Sequence, residues 1–339
     1  MTYYRPICLS DFDAPDTAFR LAGGWVNFTH VEKMARGGGR EIVKAADIPQ
    51  EALDRLTAPR APICGLTFER TRLMGILNVT PDSFSDGGDF YVPEHAQTQA
   101  QAMAAAGADM IDIGGESTRP GADFVEAAIE IQRTSPVISA LAAKNIAPIS
   151  IDTRKACVAE AAVKVGAAFI NDVSAFEFDA EMAETAARLK APVCLMHAQG
   201  VPKNMQDDPS YGDVLLDVYD ALAARVDHAV SMGIPKARIM VDPGIGFGKT
   251  VAHNLSLLRG MSLFHGLGCV VLLGASRKRF IDDISGAPSA KDRVSGSVAV
   301  AIEGVKQGVQ MLRVHDTYET KQAVDIYNAM SIEGAFDGT

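Results

Sequence analysis

One pattern repeats through the chain from residue 71 onward: a short apolar or β-branched run, a polar loop rich in Gly, Asp and Ser, and an Ala-rich amphipathic stretch. The predicted strands are RLMGILN (72–78), MIDIG (110–114), PISID (148–152), AFINDV (168–173), PVCLMH (192–197), RIMVDPG (238–244), VVLLGAS (270–276) and QMLRVHD (310–316). Parallel strands need crossover helices, and eight such units close naturally into a barrel. The sequence therefore predicts an α/β protein with a (β/α)8 TIM barrel.

The stretches between these runs have the spacing of amphipathic helices. Two examples are AQTQAQAMAAAG (96–107) and VLLDVYDALAARVDHAVSMG (214–233), which we expect to end at Gly107 and Gly233. An open, doubly wound sheet is the structural alternative, because strands are easily miscounted from one sequence. The absence of a glycine-rich dinucleotide fingerprint after the first strand disfavours this alternative.

Residues 1–61 lack this pattern and are predicted to form an N-terminal extension, either a small α+β unit or a partly ordered segment. Within it, IPQEALDRL (48–56) predicts a short helix that begins after a proline. Residues 62–335 are assigned to the barrel. At their start, ICGLTFERTRLMGIL (63–77) alternates around Glu69 and Arg70, as a hairpin that plugs the bottom of the barrel would.

The charge balance limits the partners that we expect. The chain has 32 Lys and Arg against 42 Asp and Glu, a net charge of −10, which argues against a general role on nucleic acid or anionic membranes. The N-terminal residues lack a basic segment followed by an apolar one, and no apolar run approaches ~18 residues. We therefore expect neither export nor membrane insertion, and a cytoplasmic location.

The cysteines support the same compartment. The five positions show no CxxC pair, and Cys194 and Cys269 lie in apolar runs typical of strands. We expect buried, reduced thiols in a cytosolic protein, with a disulfide or a metal site as the alternative.

Every predicted strand ends in polar residues, and in such a barrel ligands bind at the carboxyl ends of the strands. These residues are Asn78, Asp112 with Glu116, Asp152, Asn171 with Asp172, His197, Asp242, Ser276 to Lys278, and Arg313 with His315. Any one of them could cap the next helix or form a turn. Capping does not call for His, Lys and Arg at the same ends, so the full set predicts a ligand site.

Cations cluster in three of the loops. Arg119 lies in the Pro/Gly-bounded turn STRPGA (117–122), SRKRF (276–280) carries three cations after the seventh strand, and Arg313 and His315 alternate after the eighth. The last two strands are where such barrels most often bind phosphate, and Arg suits phosphate or carboxylate oxygens. A small anionic ligand is therefore predicted, while solvated surface cations stay the alternative, chiefly for Arg279 and Lys291.

Three strand ends offer hydrogen-bond acceptors instead. A buried carboxylate at Asp152 or Asp242 needs a partner, and a flat ligand with adjacent N–H and NH2 groups can supply one beside Asn171. An aminopyrimidinone edge is such a ligand. The alternative is that these carboxylates accept hydrogen bonds from backbone amides and have only a structural role.

DPGIGFGKT (242–250) looks like a phosphate-binding P-loop, since it follows a strand and ends in GKT. The P-loop spacing requires glycine where Pro243 stands. We interpret the segment as a glycine-rich turn that lets Phe247 and the backbone approach a ligand.

Eight motifs together resemble one known family, the dihydropteroate synthases of the folate pathway. They are MGILNVTPDSFSDGG (74–88), DIGGESTRPGA (112–122), SIDTRK (150–155), INDVSA (170–175), LMHAQGVPKNMQ (195–206), DPGIGFGK (242–249), GASRKRF (274–280) and RVHD (313–316). The resemblance implies a TIM barrel that condenses p-aminobenzoate with 6-hydroxymethyl-7,8-dihydropterin diphosphate, with Mg²⁺ as cofactor. It also implies a homodimer. The extension of about sixty residues departs from ordinary bacterial members.

The resemblance also implies roles for individual residues. The pterin-binding set would be Asp152, Asn171, Asp242 and Lys278, with Met196 and Phe247 against its faces. Asn78 would be the ligand of the Mg²⁺–diphosphate, and Arg313 with His315 would anchor the diphosphate. Phe84, Asp86, Thr118, Arg119 and Pro120 would close over p-aminobenzoate. The implied catalytic residues are Asp86, Arg119, Lys278, Arg313 and His315.

The implied chemistry needs positioning and charge stabilisation, because departure of diphosphate leaves a cation on the pterin methylene. Asp86 would favour positive charge on the attacking aniline nitrogen, and no covalent enzyme nucleophile is required. A pterin-binding methyltransferase barrel is the alternative enzyme, but it has no need for the loop VTPDSFSDGG (79–88) after the first strand or for RVHD. A non-enzymatic paralogue would be expected to have lost the loop or Arg313, and both are present.

Overall fold

The computed structural model describes residues 1–80, 92–117, 122–200, 205–332 and 334–335, without the side chains of residues 92 and 93. Eight parallel strands form a closed barrel in the order β10-β11-β12-β5-β6-β7-β8-β9. Their bounds are β5 Arg72–Asn78, β6 Met110–Gly114, β7 Ile149–Asp152, β8 Phe169–Asp172, β9 Val193–Met196, β10 Ile239–Asp242, β11 Val270–Leu273 and β12 Met311–Val314. This is the predicted (β/α)8 TIM barrel, not the open sheet.

Helices surround the barrel. They are α2 Val92–Ala105, α3 Ala127–Lys144, α4 Ala156–Lys164, α5 Met182–Leu189, α6 Val214–Ser231, α7 Val251–Arg259, α8 Arg279–Ser285, α9 Val294–Lys306 and α10 Thr317–Ser331. Short 3-10 turns lie at Lys236–Arg238, Met261–Leu267 and Ala290–Arg293. Beyond α2 and α6, Gly107 and Gly233 adopt φ of +99° and +93°. Their amides donate back to Ala104 O and Val230 O, so both glycines end helices as predicted.

The first two predicted strands have the observed bounds, and each of the other six predicted strands is longer than the observed one. The fifth ends at Met196 rather than His197, and the seventh ends at Leu273 rather than Ser276. The register places Asn78 opposite Gly114, Gly114 opposite Asp152, and Asp152 opposite Asn171. Polar residues from neighbouring strands therefore meet at one end of the barrel.

The opposite end of the barrel is filled by apolar side chains. Ile63 and Phe68 join a buried cluster with strand residues such as Met74, Met110 and Phe169. The expected hairpin is reduced to a single antiparallel bridge between Ile63 and Leu66, but its apolar side chains do fill this end. Ligand access is thereby restricted to the end where the polar residues lie.

Residues before the barrel form an antiparallel sheet and a helix. The strands are β1 Thr2–Leu9, β2 Phe19–Arg20, β3 Asn27–Ala35 and β4 Arg40–Lys44, the helix is α1 Gln50–Thr57, and 3-10 turns lie at Leu21–Gly23 and Ala45–Asp47. The helix begins after Pro49, as predicted. Trp25 Nε1 donates to Val305 O at 3.0 Å and Ser262 Oγ donates to Pro6 O at 2.8 Å. The sheet therefore packs against the barrel, and its apolar residues share one core with it.

All five cysteines are free. Cys194 and Cys269 are buried as expected, whereas Cys8 and Cys64 are half-buried and Cys157 is exposed. In the described parts of the chain, no helix has both the length and the apolar character needed to cross a membrane.

Candidate active site

The centre of the polar end is an arginine between two carboxylates. Arg313 Nε donates to Asp112 Oδ2 at 2.6 Å, and Arg313 Nη2 donates to Asp152 Oδ2 at 2.7 Å. Asn171 Nδ2 donates to Asp112 Oδ2 as well, at 3.1 Å. Because each residue comes from a different strand, barrel closure alone brings this group together. The positive charge of the arginine thus has two carboxylate partners, and each buried carboxylate has the arginine as its cationic partner.

Each carboxylate keeps one oxygen uncommitted. Asp112 Oδ1 and Asp152 Oδ1 are buried, and neither has a hydrogen-bond partner within the described residues. Burial raises the pKa of Asp152 to about 7, although Arg313 opposes the shift, and the neighbouring Asp112 adds to it. Buried polar atoms without partners are rare in folded proteins. These two oxygens are therefore acceptor positions that a ligand with N–H groups can fill.

Asn171 and Asp172 are adjacent in sequence but differ in function. Asp172 accepts the amides of Ser174 and Phe176, both at 2.8 Å, and so shapes the turn after β8. The structural alternative considered for strand-end carboxylates therefore holds for Asp172. Asn171 instead faces Asp112 in the centre of the site.

Asp242 is buried and Lys278 is half-buried, and their opposite charges influence each other. Asp242 Oδ1 accepts the Gly244 amide at 2.7 Å, and burial raises the pKa of its carboxyl while Lys278 lowers it. Lys278 Nζ donates to Ile245 O and lies 4.3 Å from the centre of the Phe247 ring. Burial lowers the pKa of Lys278 to about 7, against the opposing effect of Asp242. Lys278 and Phe247 thus form one wall of the site.

The segment that resembles a P-loop is a turn between β10 and α7, as interpreted from the sequence. Gly244, Gly246 and Gly248 have φ of +69°, +81° and +61°. A Cβ at Gly244 would lie 1.8 Å from His197 O, so the turn packs directly against the segment after β9. The left-handed backbone and the close approach both require glycine.

Lys249 turns inward from this segment. Its Nζ lies 2.9 Å from His197 Nδ1 and donates to Phe247 O at 3.0 Å. Burial lowers the pKa of Lys249 to about 7 and, together with the charge of Lys249, lowers the pKa of His197 to about 3. This pair ties the β10–α7 turn to the segment after β9.

The three cations of SRKRF separate in the structure. Arg277 Nε donates to Asp316 Oδ2 at 3.0 Å, Lys278 enters the site, and Arg279 has an exposed side chain. Only Lys278 of the three faces the ligand site, so the cluster expected from sequence is smaller than predicted. For Arg279 the surface alternative holds. His315 lies at the rim, with its amide donating to Ser276 Oγ at 3.2 Å.

The implied magnesium ligand, Asn78, lies beside the central carboxylates. A Cβ at Gly114 would lie 3.6 Å from both Asn78 Oδ1 and Asp152 Cβ, so the two side chains lie against the same glycine. No cluster of three or more His, Cys, Asp or Glu side chains suited to a metal occurs in the described residues. Mg²⁺ commonly takes one or two protein oxygens and completes its shell with phosphate and water. A single amide oxygen fits a metal that arrives with a diphosphate.

The structure brings together Asn78, Asp152, Asn171, Met196, Asp242, Phe247, Lys278, Arg313 and His315 at or near this end of the barrel. Phe84, Asp86, Thr118, Arg119 and Pro120 lie outside the described residues. The implied pterin-binding set omitted Lys249, and it omitted Asp112 although Asp112 was counted among the polar strand ends. A charged residue inside the apolar run MIDIG was the available signal for Asp112. For Lys249 nothing local distinguishes an inward side chain from a surface one.

A family model described as "Pterin binding enzyme" matches residues 74–315. A dihydropteroate synthase of Synechocystis is 42% identical over 286 residues, which cover 83% of this chain and 99% of that protein. The structure of a Xanthomonas albilineans dihydropteroate synthase with 4-aminobenzoic acid is 44% identical, has a TM-score of 0.76, and covers 80% of this chain and 98% of its own. Another from the same organism, in complex with 7,8-dihydropteroate, is 41% identical with a TM-score of 0.73 and the same coverage. The chain therefore belongs to the dihydropteroate synthases of the pterin-binding enzyme family.

Proposed function

We propose that the protein condenses p-aminobenzoate with 6-hydroxymethyl-7,8-dihydropterin diphosphate, giving 7,8-dihydropteroate and pyrophosphate. The observation that carries the proposal is the pair of buried, unpartnered oxygens on Asp112 and Asp152 beside the cations Arg313 and Lys278. Acceptors without donors suit the N–H groups of an aminopyrimidinone, and the cations beside them suit its anionic substituent.

We assign the roles of the described residues on this basis. Asp152, Asn171 and Asp242 bind the edge of the pterin, and Met196 and Phe247 cover its faces. Lys278 bonds to the ring system, while Arg313 and His315 receive the departing diphosphate. Asn78 would hold Mg²⁺, which when bound neutralises charge on the diphosphate.

The mechanism that we propose is a dissociative displacement at the pterin methylene. The carbon–oxygen bond to the diphosphate breaks first, the aniline nitrogen then forms a bond to the methylene cation, and its proton passes to solvent. Asp86, with Arg119 and the other implied residues of the first two loops, would orient p-aminobenzoate. A site that holds both reactants in line needs no covalent nucleophile.

The test measures pyrophosphate released by the purified protein with Mg²⁺. We expect release only when both substrates are present, together with the formation of 7,8-dihydropteroate. Release from the pterin diphosphate alone would indicate a hydrolase. No release from both substrates, with the pterin still bound, would favour the non-enzymatic paralogue.

The resemblance to this family also supports a homodimer, and the structure offers a surface for it. A groove of about 860 Å³ lies between α9 and α10, next to the exposed side chains of Ile326 and Met330. We propose a second copy of the chain as its occupant. Sedimentation should give twice the monomer mass of 36.0 kDa, and Met330→Asp should shift the protein toward monomer. A wild-type protein that sediments as a monomer would refute this. A cytoplasmic location stays a prediction.

A further inference from the structure

Arg36 links the N-terminal sheet to helix α6 of the barrel. Arg36 follows β3 and donates through Nη1 to Asp217 Oδ1 and through Nη2 to Asp220 Oδ2, both at 2.6 Å. Tyr3 OH also donates to Asp220 Oδ2, at 2.8 Å. Both carboxylates are in the first turns of α6. The family model begins only at residue 74, so Arg36 lies outside the segment that the family shares.

The second oxygen of Asp217 organises the chain just before α6. Asp217 Oδ2 accepts the amides of Gly212 at 2.8 Å and of Asp213 at 3.1 Å. Asp213 in turn caps the helix by accepting the amides of Leu215 and Leu216. Arg36 therefore fixes the carboxylate that holds residues 212 and 213 in place. Arg40 approaches Asp213 less closely, with 3.8 Å between Nη2 and Oδ2.

Residues next to Gly212 contact the wall of the site. Tyr211 OH donates to Gly248 O at 2.8 Å, and the Tyr211 ring lies 6.0 Å from that of His197. One residue earlier, Ser210 exchanges two hydrogen bonds with the Gln199 side chain, at 3.0 and 3.1 Å. The segment before α6 is thus bonded both to the residues after β9 and to the β10–α7 turn.

These two segments carry the two residues that we propose pack against the faces of the pterin ring. Met196 directly precedes His197, and Phe247 directly precedes Gly248. The contacts form a continuous series from Arg36 through Asp217 and Gly212 to Tyr211, and then to Gly248. Each link is a hydrogen bond or a peptide neighbour, and the coupling of Asp217 to Gly248 along this series is what the tests below measure.

We propose that Arg36 is a positioning residue for pterin binding, which acts through Asp217 and Tyr211 to fix the segments that carry Met196 and Phe247. The N-terminal sheet is then part of the binding site's support. This inference rests on the proposed function for the identity of the ligand. The support that we assign to the sheet comes from residues outside the segment 74–315 that the family model matches.

The test compares Arg36→Met with Arg5→Met. Arg5 Nε bonds to Glu32 Oε2 at 2.8 Å inside the sheet and, within the described residues, makes no hydrogen bond to α6, so it controls for general weakening of the extension. Calorimetry with 6-hydroxymethyl-7,8-dihydropterin diphosphate, without p-aminobenzoate, gives the pterin affinity. We expect about fivefold weaker binding for Arg36→Met, equivalent to about 1 kcal/mol. Arg36→Lys should show a smaller loss, and Arg5→Met none.

A double-mutant cycle tests the route. Asp217→Asn should weaken pterin binding, and Arg36→Met should add little in the Asp217→Asn background, because both changes break the same link. The KM for p-aminobenzoate should stay unchanged throughout. Additive losses of affinity in the double variant would contradict this route. A wild-type pterin affinity in Arg36→Met, with only a lower melting temperature, would mean that Arg36 contributes to stability alone.

Amide hydrogen exchange gives a measure that does not depend on the ligand. In the unliganded protein, Arg36→Met should exchange the amides of residues 210–213 and 247–248 about fivefold faster, whereas Arg5→Met should not. Unchanged exchange would overturn the inference even if the protein did not bind a pterin. Faster exchange in a protein that does not bind the pterin would leave the coupling intact and refute the proposed function instead.

Discussion

Arg313 Nη2 lies 2.7 Å from Asp152 Oδ2, so the cation predicted to anchor an anion is bonded to the carboxylate predicted to bind a heterocycle. The same guanidinium also bonds to Asp112. Although burial by itself lowers the pKa of Arg313, the two carboxylates raise it above its ordinary value. The two buried carboxylates and the half-buried Arg313 form one hydrogen-bonded unit, and a change at any one of them affects the other two.

Arg313→Met should destabilise the fold, because it leaves Asp112 and Asp152 buried without a cation. Removing one partner of a buried ion pair typically costs about 3–5 kcal/mol. The free energy of unfolding from urea titration near neutral pH measures this. Adding Asp112→Asn should restore part of the loss, because it removes one of the two uncompensated charges. A double variant no more stable than Arg313→Met would contradict the description of these residues as one unit.

Asp152→Asn should weaken pterin binding by about tenfold to a hundredfold, since a hydrogen bond to a charged group contributes about 1.5–3 kcal/mol. Stability should change little, because the amide oxygen can still accept from Arg313. Calorimetry with the pterin diphosphate, together with urea unfolding, separates the two effects.

Asp172→Asn is the matched control, from the end of the neighbouring strand. It removes an acceptor of the Ser174 or Phe176 amide and should cost about 1–3 kcal/mol of stability. Its pterin affinity should stay near wild type. If Asp172→Asn loses affinity as Asp152→Asn does, the division of roles between these strand ends is wrong.

The pH dependence of kcat/KM for the pterin diphosphate should be bell-shaped with a maximum near pH 7. Burial raises the pKa of Asp152 to about 7, and this carboxyl must be ionised to accept two donors, so activity rises with pH through that value. Burial lowers the pKa of Lys278 to about 7, and activity falls as the ammonium loses its proton. Such profiles report groups of the free enzyme.

Lys278→Arg distinguishes the two limbs of that profile. Arginine keeps its charge across this range, so the fall on the alkaline side should move to higher pH while the acidic limb stays in place. Initial rates at low pterin concentration, from about pH 5 to about pH 9, measure both limbs. An alkaline limb that is unchanged in Lys278→Arg would assign it to another group, with Lys249 the next residue to test.

Gly244→Ala should be more destabilising than Gly286→Ala. Both glycines have positive φ, at +69° and +68°, so alanine meets similar backbone strain of about 1 kcal/mol at each. A Cβ at Gly244 would also lie 1.8 Å from His197 O, whereas nothing lies within 4 Å of one at Gly286. Thermal unfolding should show a clearly larger decrease in melting temperature for Gly244→Ala than for Gly286→Ala. Only Gly244→Ala should also bind the pterin more weakly. Equal losses would mean that the turn relaxes without disturbing the site.

The alternation of apolar runs and amphipathic stretches was enough to predict the barrel, because each unit specifies its own strand and helix by local periodicity. The same reasoning found most strand-end residues, including Asp152, Asn171 and Asp242. It overestimated the cationic cluster at 276–280, because neighbours in sequence diverge in direction where a strand ends: Arg277 pairs with Asp316 and Arg279 faces solvent.

The sequence by itself determined the eight repeated units, the end of the barrel at which polar residues collect, and the family. Only the tertiary structure decided the partners: Arg313 bonds to carboxylates 201 and 161 positions away, and Arg36 to one 181 positions away. The tertiary structure also decided that the Lys249 side chain faces inward and that Asp172 accepts the backbone amides of a turn. Periodicity records which face of an element is apolar, whereas the partner of a buried charge depends on which side chains closure of the barrel brings within hydrogen-bonding distance.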